Sequence, residues 1–96
     1  MPEVRFDIRW SDGQIEQCYS PSTVIRDHLT AQTAYPLGEF VERSRIALSL
    51  ANDRVCAKFG VDCARANIQI ASIERTAASF AGAPGAVVIV ETIELD

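Results

Sequence analysis

The strongest constraint in the sequence is a strict alternation at its start. Val4, Phe6, Ile8 and Trp10 are separated by Arg5, Asp7 and Arg9, the period-two pattern of a strand that buries one face and wets the other. Ser11-Asp12-Gly13-Gln14 comes next. An Asp-Gly pair between alternating segments predicts a two-residue hairpin loop, because both central positions take positive φ. Such a loop sets a register: Trp10 opposite Ile15, Arg9 opposite Glu16, Asp7 opposite Cys18 and Phe6 opposite Tyr19. Ile15 and Tyr19 then join the apolar face, while Cys18 and Glu16 fall on the polar face, Glu16 as an ion-pair partner of Arg9.

Downstream the period changes from two to nearly four. Ser20 can cap a short helix with Pro21 in its first turn and Val24, Ile25, His28 and Leu29 near one face. Residues 30–35 have little periodicity and read as a surface loop. A long helix begins at Pro36, with Leu37, Phe40, Val41, Ser44, Leu48, Ala51, Val55 and Phe59 as its inward stripe and Gly60 as a left-handed stop. Asp62 suits the N-cap of a second helix over residues 63–80 that buries Ala66, Ile70, Ile73, Ala77 and Phe80. After the breaker Ala81-Gly82-Ala83-Pro84-Gly85, residues 86–93 form the last strand. Its centre, Val87, Val88, Ile89 and Val90, is apolar on both sides, which predicts a second covered face, as in a homodimer. The expected fold is α+β: a small antiparallel sheet, made of the N-terminal hairpin and the C-terminal strand, packed on a long antiparallel helical hairpin. The element order is β-β-α-α-α-β, with the last strand beside the first.

At 96 residues the chain is expected to form a single domain over residues 1–96. A net charge of -4, with its nine basic residues interleaved with acids, disfavours capture of a phosphate backbone, so nucleic acid is not expected as a partner. The start of the chain lacks a long apolar stretch, and the longest apolar run is far short of the roughly 20 residues a membrane helix needs. A cytoplasmic location without membrane contact follows as the expectation. Cys18, Cys56 and Cys63 are three in number, which argues against a disulfide framework and for reduced thiols.

Some of these residues could carry chemistry. Cys18, His28, Cys56 and Cys63 are the right types for zinc, but structural sites usually place a ligand pair two to four residues apart, and no metal or cofactor is expected. Cys63 at a helix start could be an activated thiolate with His28 as base. Asp62 beside it opposes that activation. Tyr19 and Ser20 cluster hydroxyls at a helix start that could hold a phosphate or carboxylate, although a plain cap explains them as well. Arg43 and Arg65 sit among helix-face arginines that pair with acids, for instance Glu39 with Arg43.

Three segments carry a family resemblance: "RWSDGQIEQCYSPSTVIRDHL", "YPLGEFVERSRIALSLANDRV" and "AKFGVDCARA", together most of residues 9–66. They resemble small bacterial nitrogen starvation response proteins, in which a DG turn, a CYSPS element, a YPLxEFVxRSRxAL helix and an AKxGxxCxRA junction recur. Cys18 and Cys63 match cysteines of that pattern; Cys56 stands where arginine is common. The resemblance implies a setting near nitrilase gene clusters, alongside a radical-SAM protein, an acetyltransferase and a flavin-dependent oxidoreductase, and a family without an assigned activity. The favoured expectation is a homo-oligomeric, non-catalytic accessory or assembly protein that contacts a pathway enzyme. The alternative is a small-molecule binder or thiol-dependent enzyme using Cys63 or Cys18 near the helix start at residues 19–22. Candidate functional residues are Cys18, Tyr19, Ser20, Arg43, Cys63 and Arg65.

Overall fold

A computed structural model of the chain describes residues 2–95. It is an α+β structure in which four strands, β1 (Val4–Arg9), β2 (Ile15–Ser20), β3 (Thr33–Pro36) and β4 (Val87–Leu95), form one antiparallel sheet of order β2-β1-β4-β3. Two helices, α1 (Leu37–Phe59) and α2 (Ala64–Ala78), cover one face. The last strand lies beside the first, as expected.

The hairpin departs from the predicted register by one residue. Trp10 N–H donates to the Gln14 carbonyl at 2.9 Å and Gly13 N–H to the Trp10 carbonyl at 2.9 Å, so the loop holds three residues, Ser11, Asp12 and Gly13. Only Gly13 takes positive φ (88°) there, the geometry of a turn followed by a left-handed glycine. Asp12 escapes the left-handed region that a two-residue loop would impose on it. Its carboxylate instead accepts from Gln14 N–H at 3.0 Å. Ser11 is also held, since its hydroxyl donates to the Val87 carbonyl at 2.8 Å and accepts from Val87 N–H at 2.9 Å. That side chain extends the β1–β4 ladder beyond the end of β1.

A one-residue slip exchanges the two faces of a strand. Phe6 therefore faces Cys18, Ile8 faces Glu16 and Arg5 faces Tyr19. Cys18 and Glu16 point into the core layer, whereas Ile15 and Tyr19 point to the uncovered face. Arg9 pairs with Glu91 of β4 at 2.6 Å instead of with Glu16.

The predicted loop over residues 30–35 contains β3, an edge strand paired with β4. Its signal is weak because it is four residues long and ends in proline, which an edge tolerates. Gln32 precedes it at φ 61°. Its N–H donates to the Val90 carbonyl at 2.6 Å and its side-chain amide to the Glu91 carbonyl at 3.1 Å. Those bonds close over the irregularity where β4 carries one residue more than β1, between Val90 and Thr92. The segment expected to be a short helix is a 3₁₀ turn (Thr23–Asp27) capped by Ser22, not by Ser20. Helix α1 braces both of its ends: Arg54 donates to the Ser22 hydroxyl at 3.1 Å and Arg43 to the His28 carbonyl at 3.0 Å.

The inward stripe of α1 buries Phe40, Ser44, Ala47, Leu48 and Ala51, but Phe59, predicted to be inward, is 61% exposed. Phe59 instead lines an open cleft with Tyr19 and Pro21, and the helix ends at Gly60, whose φ of 78° closes the left-handed cap. Helix α2 starts one residue later than predicted. Cys63, not Asp62, occupies its N-cap position, and Cys63 N–H donates to the side-chain oxygen of Asn52 on α1 at 2.5 Å. The aromatic centre of the core is Trp10, stacked on Phe80 at 5.9 Å and edge-on to Phe40 at 5.9 Å.

Candidate functional site

The strand β2 carries different chemistry on its two faces. On the core side, Glu16 lies between the sheet and α2. Its carboxylate accepts from the Trp10 indole N–H at 3.1 Å, the Ser72 hydroxyl at 3.2 Å and the Gln69 amide at 3.3 Å, with the Cys18 thiol at 3.9 Å. Gln69 and Ser72 sit three apart on one side of α2, so both reach the same carboxylate. This many donors satisfies a carboxylate withdrawn from bulk water and makes Glu16 the tie between α2 and the hairpin. Cys18 is 2% exposed. Burial first, and then the negative charge of Glu16, push its thiol far above the ordinary range. It is therefore a protonated packing group near neutral pH.

On the outer side, Tyr19 meets the start of α2. Arg65 stacks flat on the Tyr19 ring at 3.7 Å from its centroid and approaches Glu3 at 4.0 Å. Cys63 is beside Tyr19. Together with Glu3, Pro21, Val55 and Phe59, these two residues line a cleft of about 230 Å³. Desolvation, followed by the charge of Glu3, raises the Tyr19 phenol pKa, and Arg65 opposes the shift. A second cleft of about 320 Å³ lies on the other side of the stack, where Tyr19 and Arg65 are joined by Gln17, Ile68 and Gln69.

Of the candidate residues, Tyr19, Cys63 and Arg65 converge here. Ser20 is buried on the core side, exchanging hydrogen bonds with the backbone of Ser22. Arg43 lies elsewhere: it pairs with Glu39 at 2.8 Å and sits 5.4 Å from the centre of the Tyr35 ring. Cys56 is exposed on α1. Among the described residues, no group of three or more His, Cys, Asp or Glu side chains is placed to hold a metal ion. Glu16, Gln69 and Ser72 were missed in the sequence because the two-residue loop turned Glu16 to the wrong face. A three-residue reading of Ser11-Asp12-Gly13 would have turned it inward.

The uncovered sheet face has its own character. Along one row it presents Ile15, Arg9, Ile89 and Ala34. At that end, Val87 and Ile89 line a cleft of about 410 Å³ with Arg9, Pro84 and the hairpin loop. Thus Val88 and Val90 are core residues, as the sequence suggests for half of β4, and its other half lies open. No helix is long and apolar enough to cross a membrane among the described residues.

No curated protein and no solved structure gives a significant match to the chain. The family model described as nitrogen starvation-induced protein NitG matches residues 5–93. That span runs from β1 to β4 and includes the hairpin, both clefts around Tyr19 and the open sheet face, so the chain belongs to the NitG family of nitrogen starvation-induced proteins.

Proposed function

We propose that the chain is a non-catalytic accessory or assembly protein of the nitrogen-starvation response, serving nitrile utilisation as the sequence resemblance implies, and that it works as a homo-oligomer through protein contacts. The observation that supports this reading is the concave apolar end of the open sheet face. Val87, Ile89 and Pro84 border a cleft there, with Arg9 and Glu91 as a charged rim, the arrangement of an apolar anchor site with polar surroundings. A pathway enzyme that presents an apolar side chain beside a polar strip is the fitting partner. Tagged protein recovered from nitrogen-starved cells is expected to bring down a defined enzyme, and Val87→Glu is expected to lose it while melting at the unchanged temperature. Retention of the same enzyme by Val87→Glu would remove the sheet face from the account.

A second reading is favoured by Tyr19, which borders one cleft with Cys63 and a neighbouring one with Arg65: a small acidic ligand held at Arg65, or a reactive Cys63 thiol. Iodoacetamide should then modify Cys63 at least tenfold faster than an unfolded-peptide thiol at pH 7, as an activated thiolate does. A rate no greater than the peptide's leaves Cys63 as a packed junction residue.

A further inference from the structure

The outer strand β2 has an edge that nothing in the fold pairs fully. Its hydrogen-bonded positions toward β1 alternate from the Trp10–Gln14 pair, so Glu16, Cys18 and Ser20 bond to β1 while Ile15, Gln17 and Tyr19 turn their N–H and C=O groups outward. Tyr19 N–H is met by the Gln69 side-chain oxygen at 3.0 Å. The register turns the N–H groups of Ile15 and Gln17 to the same open side. The edge carries neither the lysine nor the proline that commonly blunts an open strand. Ile68, 66% exposed, borders the same edge from α2, lining one cleft with Gln17 and Tyr19.

We infer that β2 pairs with β2 of a second copy of this chain, antiparallel about a two-fold axis at Gln17, to make one continuous eight-stranded sheet. The inference deepens the homo-oligomeric part of the reading above by naming the surface. It rests on how the edge complements itself. With Gln17 opposite Gln17 of the second copy, the two exchange both backbone hydrogen bonds, and Ile15 falls opposite Tyr19. An aliphatic side chain then faces an aromatic one on the open face, which is a favourable cross-strand pair, and the two Gln17 amides meet at the axis. On the core side Glu16 falls opposite Cys18, so no like charges oppose each other. The Gln69 oxygen holds the place that the second copy's Ile15 carbonyl takes on pairing, which keeps the Tyr19 donor satisfied in the single chain. Ile68 stands on α2 beside Gln17 and Tyr19, where the second copy's strand would approach. An isologous contact of this kind closes on itself and ends at two copies.

Light scattering after size-exclusion chromatography tests the pairing with charge variants at the axis. The wild-type chain is expected to have twice the chain mass at high micromolar concentration. Gln17→Lys and Gln17→Glu each place like charges opposite one another and are expected to run at single-chain mass with unchanged far-ultraviolet circular dichroism. An equimolar mixture of the two is expected to regain the double mass. Ile68→Glu, a surface change on a different element, is expected to weaken the dimer at least tenfold. Val87→Glu is expected to leave the dimer intact, so loss of the enzyme partner and loss of self-association are read separately. A wild-type chain that stays single at high micromolar concentration overturns the inference. So does a dimer that survives both Gln17 variants, or one that Val87→Glu alone dissociates.

Discussion

Replacing Trp10 with alanine is expected to lower the free energy of unfolding by about 4 kcal/mol, the usual cost of deleting a large aromatic side chain from a core. Trp10 is buried among Phe40 and Phe80 and donates its indole N–H to Glu16 at 3.1 Å. The substitution therefore leaves a cavity where the sheet meets both helices and strips a donor from a half-buried carboxylate. Against the roughly 5–15 kcal/mol that holds a domain together, this is a large fraction. Because Trp10 is the only tryptophan, the urea transition has to be followed by far-ultraviolet circular dichroism. Trp10→Phe separates the two contributions: it retains most of the ring packing and loses the bond to Glu16, for an expected cost of about 1 kcal/mol beyond the packing change. A loss below about 1 kcal/mol in the alanine variant would show that the aromatic cluster is not packed as described.

Cys18→Asp is expected to cost at least about 3 kcal/mol, since it buries a second carboxylate beside Glu16 with no cation to pair it. On the polar face that a two-residue loop implies, the same change would be close to neutral. Far-ultraviolet melts thus discriminate between the two registers directly. The thiol also predicts a pH dependence. Its folded pKa lies well above that of an unfolded thiol, about 8.5. Below that value both states are protonated and the stability contribution is complete. Above it the unfolded chain loses the proton first, the folded state binds more protons, and stability falls as pH rises, by at most about 1.4 kcal/mol per pH unit. The raised phenol of Tyr19 adds a fall of the same sign only above about pH 10. Between pH 8.5 and 10, Cys18→Ala is expected to flatten the slope. An unchanged slope would place the thiol in water.

Much of the architecture is legible because local and global preferences agree. The alternation of Val4, Phe6, Ile8 and Trp10 makes β1. The spacing of Phe40, Ser44, Leu48 and Ala51 makes the buried side of α1, and Gly60 ends that helix where a left-handed residue is needed. The sequence places Cys18 and Glu16 on the wrong face for a physical reason: a hairpin's register depends on which loop wins, and the competing loops differ by one residue. Ser11 and Asp12 favour the three-residue loop through bonds to Val87 and Gln14, and the first of these partners is 76 positions away. No local pattern contains that information. The same holds for β3, whose pairing with β4 is non-local, and for Phe59, which is exposed on a cleft shared with Tyr19 and Glu3.

For the candidate site, the residue types were visible and their grouping was not. Tyr19, Cys63 and Arg65 come together because the tight junction after α1 brings the start of α2 to the edge of β2, and Asn52 holds Cys63 N–H there. The thiol at position 63 occupies the N-cap place without capping, since no hydrogen bond from its side chain closes the helix. What the sequence determined by itself is most of the elements and most of their inward stripes, consequences of hydrophobic period and chain breakers. What only the tertiary structure decided is which face of β2 is inside, and hence that Cys18 is core, Glu16 is the tie to α2 and Gln17 lies on an unpaired edge. A strand's period of two leaves its sense undetermined by one residue until contacts distant in sequence choose it.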